Sequence, residues 1–332
     1  MISIKDIARA AQVSHSTVSR ALRGSPLVNP ETRELICRIA AEQGYTPSAV
    51  ARSLVTRRTN TIGVVVTSIA DPFVGEVVTG IEAAMDERGY SVILATCHAD
   101  PDRELRAVRS FQERRVDGIL VTASRVGALY RQMLAETKSP IVLINNQHAG
   151  EFAYHVSIDN PAGARLMTGR LIELGHRRIA YIGDRFGLHS DEERCAGYRD
   201  RLEEAGIPFA PELIANGDGG AESGLVAMRQ LLDLADPPTA VFCYNDMQAF
   251  GAIRAVRDRG LRVPADISIG GFDDLFLASY CDPPLTTIRQ PKQEMGRDAA
   301  NILMDLIAGG NPTSCFKSGV LVERQSTAAR RA

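Results

Sequence analysis

Four side chains near the start of the chain have the right types and spacing to read a polyanion. His15, Ser16 and Thr17 are consecutive, and Arg20 follows about one helical turn later. Short hydroxyl groups and an imidazole can exchange hydrogen bonds with base edges, and a guanidinium can bond guanine twice. A helix facing only a core would not leave four such residues outward. A second set is spread along the rest of the chain: Thr67, Phe73, Asn145, Arg194, Asn245, Asp273 and Gln290. Amides, a carboxylate and one arginine suit paired hydrogen bonds to a small ligand rich in hydroxyls. Asn and Asp at strand ends also cap helices, and Asn245 can serve either purpose.

The first set requires a short helix beginning near residue 15. Ser14 can cap it, and Val18, Ala21 and Leu22 would face inward over residues 15 to 22. Ser3, with Asp6 three positions on, caps an earlier helix from about 4 to 11. Asn29-Pro30-Glu31 starts a third, with Leu35, Ile36, Ile39 and Ala40 as its inner stripe and Gly44 at its end. Two short helices across a tight turn and a third packed on them make a helix-turn-helix, whose second helix enters the major groove. Gln12 stands in the turn, where Gly or Asn would better tolerate a left-handed backbone. Residues 1–60 hold nine Lys and Arg against four Asp and Glu, a surplus of five positive charges. The whole chain has a net charge of −2, so the remainder carries −7. Charge alone fits a solvated surface as well as a polyanion contact, and the helix pattern favours the contact.

The stretches SIKDIARAAQVSHSTVSRAL and VNPETRELICRIAAEQGYTPSAVARSL resemble the DNA-binding head of the lac repressor (LacI/GalR) family. The resemblance implies that His15, Ser16, Thr17, Arg20 and Asn29 contact DNA. It also implies that the segment around Ser48, Ala51 and Leu54 becomes a hinge helix on DNA, with Leu54 pressed into the minor groove. The residue types agree: Ser48 can cap, Ala51 is small enough for two helices to pack closely, and Leu54 is an apolar wedge. A helix this short is marginal in water, so ordering on DNA is expected.

After Thr61 the pattern becomes strand-helix alternation. TIGVVVT, SVILAT, GILV and IVLI form one series; RIAYIG, ELIA, AVFCY and ISIGG form a second, with amphipathic segments between. Such alternation specifies parallel sheets with crossover helices. The expected fold is therefore α/β: an all-α helix-turn-helix head and a two-lobed body with parallel sheets. The domains are expected at 1–46 (head), 47–60 (hinge and linker) and 61–332 (effector binding and dimerisation). Lobe 1 would hold about 61–160 and 291–320, and lobe 2 about 161–288 and 321–332. The second residue set falls at the carboxyl ends of these strands, where such sheets bind ligands.

RCAGYRDRL, YNDMQAFGAIRAVRDRGLRVPADISIGGFDD and PPLTTIRQP resemble the same family's effector domain, which is like periplasmic sugar-binding proteins. By motif the family's effector contacts fall on Arg194, Asn245, Asp273 and Gln290; Thr67, Phe73 and Asn145 match more loosely. The family often presents a large aromatic residue near 217–220, where this chain has Gly-Asp-Gly-Gly, and it has no tryptophan. A stacking partner for a sugar ring would then be Phe73, Phe186, Phe272 or Tyr244.

The implied function is a homodimeric, cytoplasmic transcriptional regulator, a repressor by the family's usual mode. It would bind a pseudo-palindromic double-stranded operator and a small effector, a sugar or sugar derivative. The alternative, a solute-binding protein for a sugar transporter, fits residues 61–332 but not the head. It also lacks support at the N-terminus, which is charged within five residues and has no apolar signal core. An enzyme is not expected: there is no G-x-x-x-x-G-K-[ST] loop, no G-x-S-x-G elbow, and TSIADPF lacks the dinucleotide fingerprint. The six cysteines show no C-x-x-C pair and the six histidines no H-x-x-x-H pair, so neither a metal nor another cofactor is expected. No apolar run reaches membrane-spanning length.

Overall fold

The computed structural model describes residues 2–22, 24–45, 58–126, 139–147 and 154–330. Ser48, Ala51 and Leu54 lie outside the described residues. The chain divides into two compact units, residues 1–59 and 60–332.

The first unit is three helices: α1 (Ile4–Ala10), α2 (His15–Leu22) and α3 (Pro30–Glu42). Each start has a side-chain bond of the kind its sequence suggests. The Asp6 carboxylate accepts from the N–H and the hydroxyl of Ser3 at 2.9 and 2.7 Å. Ser14 Oγ accepts from the N–H of Thr17 at 3.1 Å, and Asn29 Oδ1 from that of Glu31 at 2.9 Å. Ile7, Ala8, Ala11, Val18, Ala21, Val28, Ile36 and Ala40 form the core. Leu35 is not on it, being 36% exposed. Ile36 and Ala40 define the buried line of α3, and Leu35 lies about 100° around the helix from Ile36. Gln12 does adopt the left-handed backbone, at φ 53°, a conformation costing about 1–2 kcal/mol for a residue with a Cβ.

The second unit is built on two six-stranded sheets. Strands β1 (Thr61–Val66), β2 (Ser91–Thr96), β3 (Gly118–Thr122), β4 (Ile141–Ile144), β5 (His155–Ile158) and β11 (Cys315–Lys317) make the first, in the order β11-β5-β4-β3-β1-β2. Strands β6 (Ile179–Asp184), β7 (Ile214–Gly217), β8 (Ala240–Cys243), β9 (Ser268–Asp273), β10 (Thr286–Arg289) and β12 (Val320–Val322) make the second, in the order β12-β10-β9-β8-β6-β7. All pairings are parallel except β10 with β12. The central strands β3, β4, β6, β8 and β9 are buried along their whole length, as unbroken apolar runs covered on both faces must be.

Helices α4 (Pro72–Asp86), α5 (Pro101–Glu113) and α10 (Lys292–Ile307) cover the first sheet. Helices α6 (Asn160–Glu173), α7 (His189–Glu204), α8 (Ala221–Leu232) and α9 (Asp246–Asp258) cover the second. In each lobe two helices touch backbone to backbone through glycines. A Cβ on Gly80 of α4 would strike the Gln293 carbonyl, and one on Gly296 of α10 the Val77 carbonyl. In the other lobe Gly224 of α8 faces the Gln248 carbonyl and Gly251 of α9 the Ala221 carbonyl.

The chain passes between the sheets after β5, after β10 and between β11 and β12. Residues beyond β12 run along the second sheet. Ser326 Oγ donates to the Ile269 carbonyl and accepts from the N–H of Thr286, and the Arg330 N–H donates to the Leu174 carbonyl. His176 is buried beneath this tail, bonded to Thr239 and Ser268 on one side and to the Ala328 carbonyl of the tail on the other. Two elements depart from the sequence pattern. The segment ELIA is a strand only in its second half: Pro211–Leu213 form a 3-10 turn, which suits Pro211 better than a strand, and Ile214 and Ala215 begin β7. The strand β5 has no counterpart in the alternation, since its four residues HVSI mix polar with apolar.

Candidate functional site

The carboxyl ends of both sheets face a cleft of about 400 Å3. Thr67, Phe73 and Asn145 line it from the first sheet; Arg194, Asn245 and Asp273 line it from the second; Gln290 lines it from the crossing after β10. The seven residues selected from the sequence thus meet in one cavity. It also receives Asp71 and Tyr244, the latter one of the four aromatic residues weighed for stacking, and Arg125, Gln147, Asp184, Ser190 and Asp218, which the sequence did not single out. Their signal was position alone: Asp184 ends RIAYIGD, and Gln147 follows IVLI by three residues.

Arg194 is held on all sides. Its guanidinium lies 3.7 Å from the Phe272 ring centroid and 4.6 Å from that of Tyr244. Nε donates to Asn160 Oδ1 at 2.8 Å and Nη1 to the Tyr244 carbonyl at 2.5 Å. Two of its five N–H donors are used in these bonds, and a stacked planar fork is rigid enough to present the others in a fixed direction. Phe272 is fully buried beneath it, so that ring cannot stack on a ligand.

Asp273 ends β9 with φ at 123°, far from the usual range for a residue with a Cβ. Its conformation is fixed from below by Lys292, whose buried Nζ donates to the Asp273 and Asp274 carbonyls at 2.7 Å each. Gln290 Nε2 donates to Asp273 Oδ1 at 2.7 Å, while Gln290 Oε1 is buried without a partner among the described residues. Burial pushes the Asp273 carboxyl up to about 7; the Arg194 charge opposes this and the Asp71 carboxylate across the cleft adds to it. Asp71 caps α4 through the N–H of Phe73 at 2.9 Å, and burial raises its pKa too.

Asn245 caps α9: its Oδ1 accepts from the N–H of Gln248, and its Nδ2 donates to the Gly219 carbonyl, both at 2.9 Å. One amide N–H remains for the cleft. Asn145 adopts the left-handed backbone at φ 49°, and its carbonyl accepts from Gln147 Nε2. Gln147 joins the lobes: its Oε1 accepts from the N–H and the hydroxyl of Ser190 at 3.1 and 2.8 Å. Because Ser190 gives its proton to Gln147, the Tyr244 hydroxyl is the donor in its 2.8 Å bond to Ser190. Buried Glu104 accepts from Ser124 Oγ at 2.5 Å and from the N–H of Arg125 at 3.1 Å, fixing the loop that carries Arg125.

In the first unit, His15, Ser16, Arg20 and Asn29 are exposed and Thr17 is half-buried, while Val18 and Ala21 are buried. The start of α2 therefore shows its polar side to solvent. Among the described residues no three His, Cys, Asp or Glu side chains are grouped to hold a metal ion, and no helix is long and apolar enough to cross a membrane.

Residues 3–48 match the model of bacterial regulatory proteins of the lacI family, and residues 168–327 that of the periplasmic binding protein-like domain. The ribose operon repressor of Haemophilus influenzae is 39% identical over 323 residues, covering 97% of this chain and 96% of that protein. The chain belongs to the LacI family. Among solved structures of LacI-family members, the lac repressor dimer bound to operator and the anti-inducer ONPF superposes with a TM-score of 0.91 at 30% identity, covering 99% of each chain. A complex of the regulator CelR with cellobiose gives 0.75 at 36% identity, over 98% of this chain and all of that one. The two-sheet body and helix-turn-helix head are thus the family's arrangement, and two of the relatives named, the ribose operon repressor and the lac repressor, are repressors.

Proposed function

We propose that this LacI-family protein is a homodimeric transcriptional repressor whose affinity for a pseudo-palindromic operator is set by a sugar or sugar derivative in the cleft. The observation that carries the reading is the cleft wall. Rigid Arg194, Asp273 and Gln290 face it from one side and Thr67, Phe73 and Asn145 from the other, an arrangement made for a compact ligand with many hydroxyls. The similar ribose operon repressor and the cellobiose complex of CelR support a sugar. Binding rather than turnover suits the residues: Ser190, a hydroxyl of the cleft wall, is bonded to Gln147 and Tyr244, neither of which is a base. His15, Ser16, Thr17 and Arg20 would read base edges with Asn29 beside them, Ser48 and Ala51 would shape the hinge, and Leu54 would wedge the central step. A regulator of bacterial DNA would work in the cytoplasm.

A dimer supplies two reading helices to one site, and its twofold axis makes the site palindromic. Exposed apolar residues offer the surface: Ile93 and Leu94 on the edge strand β2, and Phe276, Leu277 and Tyr280 beside the second sheet. The test begins with duplexes selected from a random pool by the full-length protein. D-ribose, D-glucose and cellobiose are then titrated into the complex and followed by fluorescence anisotropy. A recovered palindrome whose affinity changes with one sugar is expected; a chain that selects no sequence is not a repressor.

A further inference from the structure

Asp184 is the last residue of β6 and stands in the cleft wall, 6% exposed. Its Oδ1 accepts from the N–H of Phe186 at 2.7 Å. Its Oδ2 is buried and has no hydrogen-bond partner among the described residues. A buried carboxylate oxygen without a donor is costly, and folded proteins avoid it unless the group has another use. The neighbours do not relieve it. Asp191 accepts from the Tyr181 hydroxyl at 2.7 Å, and Asp218 is paired with Arg185 at 3.1 Å. Arg125, from the opposite lobe, lies over the Phe186 ring at 5.3 Å from its centroid. Nor does the β7–α8 loop supply a donor. Asp218 brings only a carboxylate, and Gly219 and Gly220 have no side chain to offer. Two guanidiniums, Arg125 and Arg185, stand beside three carboxylates, Asp184, Asp191 and Asp218, and Asp191 and Asp218 add to the burial that raises the Asp184 carboxyl, so the balance at this end stays negative and disfavours an anion.

We propose that Asp184 is a specificity-determining contact whose free carboxylate oxygen takes a hydrogen bond from a hydroxyl of an uncharged ligand and turns away ligands carrying a phosphate at that end. This rests on the reading of the cleft as an effector site. A site that buries an acceptor for one ligand hydroxyl rejects analogues that leave it unpaired by large factors. The same oxygen makes the empty cleft less stable than it could be, a usual consequence of holding a polar group ready for a partner.

The experiment compares the full-length parent with Asp184→Asn, Arg125→Gln and the double variant. Thermal unfolding is measured without ligand, and D-ribose, D-glucose, cellobiose and D-ribose 5-phosphate are titrated calorimetrically. Asp184→Asn keeps an acceptor for Phe186 and removes the charge. It should raise the ligand-free Tm by a few degrees, weaken the sugar that binds the parent at least tenfold, and lessen discrimination against the phosphate. An unchanged or lower Tm overturns the proposal, as does a sugar that binds both proteins equally. If Arg125→Gln lowers the Tm as much as Asp184→Asn, and the double variant no further, the carboxylate belongs to an ion pair between the lobes and the proposal falls. If no sugar binds the parent, the sugar reading fails and the Tm comparison alone decides Asp184: a rise upholds a carboxylate held ready for a ligand.

Discussion

Arg20 and Asp273 carry their charges in opposite settings, and their variants should fail in opposite ways. Arg20 is exposed on α2, one turn beyond His15 and Ser16 at the start of the helix. Arg20→Ala should cost about 1–3 kcal/mol at one position of each half-site and relax base preference there. Selection from a pool randomised at each position would show this; a uniform loss over all sequences would make Arg20 a phosphate contact. Asp273 is buried, and its carboxyl is raised to about 7 chiefly by burial. In the folded, ligand-free protein it therefore keeps its proton while an unfolded chain has already lost one at about pH 4. Folding stability attributable to Asp273 should fall as pH rises from about 4 to 7, then level off. A ligand that donates to the carboxylate should bind more tightly as pH rises through about 7. Calorimetric titration across that range would show the slope in the parent and its loss in Asp273→Asn, which separates Asp273 from Asp71 and Asp184, both also raised by burial. Asp273 was legible in the sequence because GFDD ends a buried strand. The Lys292 clamp under its backbone was not, since Lys292 is nineteen residues away and acts on carbonyl groups.

Among the elements, the paired glycines make the sharpest demands. Gly75 and Gly80 lie on the same helix, α4, yet only Gly80 touches another backbone; nothing lies within 4 Å of a Cβ on Gly75. Gly75→Ala should stabilise by about 0.5–1 kcal/mol through a less flexible unfolded chain. Gly80→Ala drives a methyl into the Gln293 carbonyl and should destabilise by about 1–3 kcal/mol or more. Chemical denaturation of the two variants would give opposite signs; equal effects would mean that α4 and α10 do not meet there. The strands were readable because buried parallel strands are unbroken apolar runs, as in IVLI and AVFCY. The strand β5 was not readable, because its place is secured by β4 on one side and β11, some 160 residues later, on the other. Leu35 misled for a local reason: an apolar residue beside a stripe reads as part of it until the packing partner is known.

At the scale of the whole molecule, an effector acts through a coupling free energy, and that coupling must be reciprocal. For ~1–3 kcal/mol, ligand changes operator affinity about 5–150-fold and operator changes ligand affinity by the same factor. Measuring both constants on the same dimer checks this; unequal factors would mean that some other equilibrium, such as dimer dissociation, intervenes. The Gln147–Ser190 bond spans the cleft, and Gln147→Ala should shift the lobe equilibrium without removing any of the seven residues selected from the sequence. The three crossings between the sheets bear on how the protein is made. The first sheet needs α10 and β11, and the second needs the tail through Arg330, so each lobe includes residues synthesised well after both series of strands have begun. The three-helix unit at the start has its whole core by Ala40. On the ribosome, a reading helix would be formed long before either lobe could close. A nascent or prematurely terminated chain would carry the means to touch DNA without the means to answer an effector.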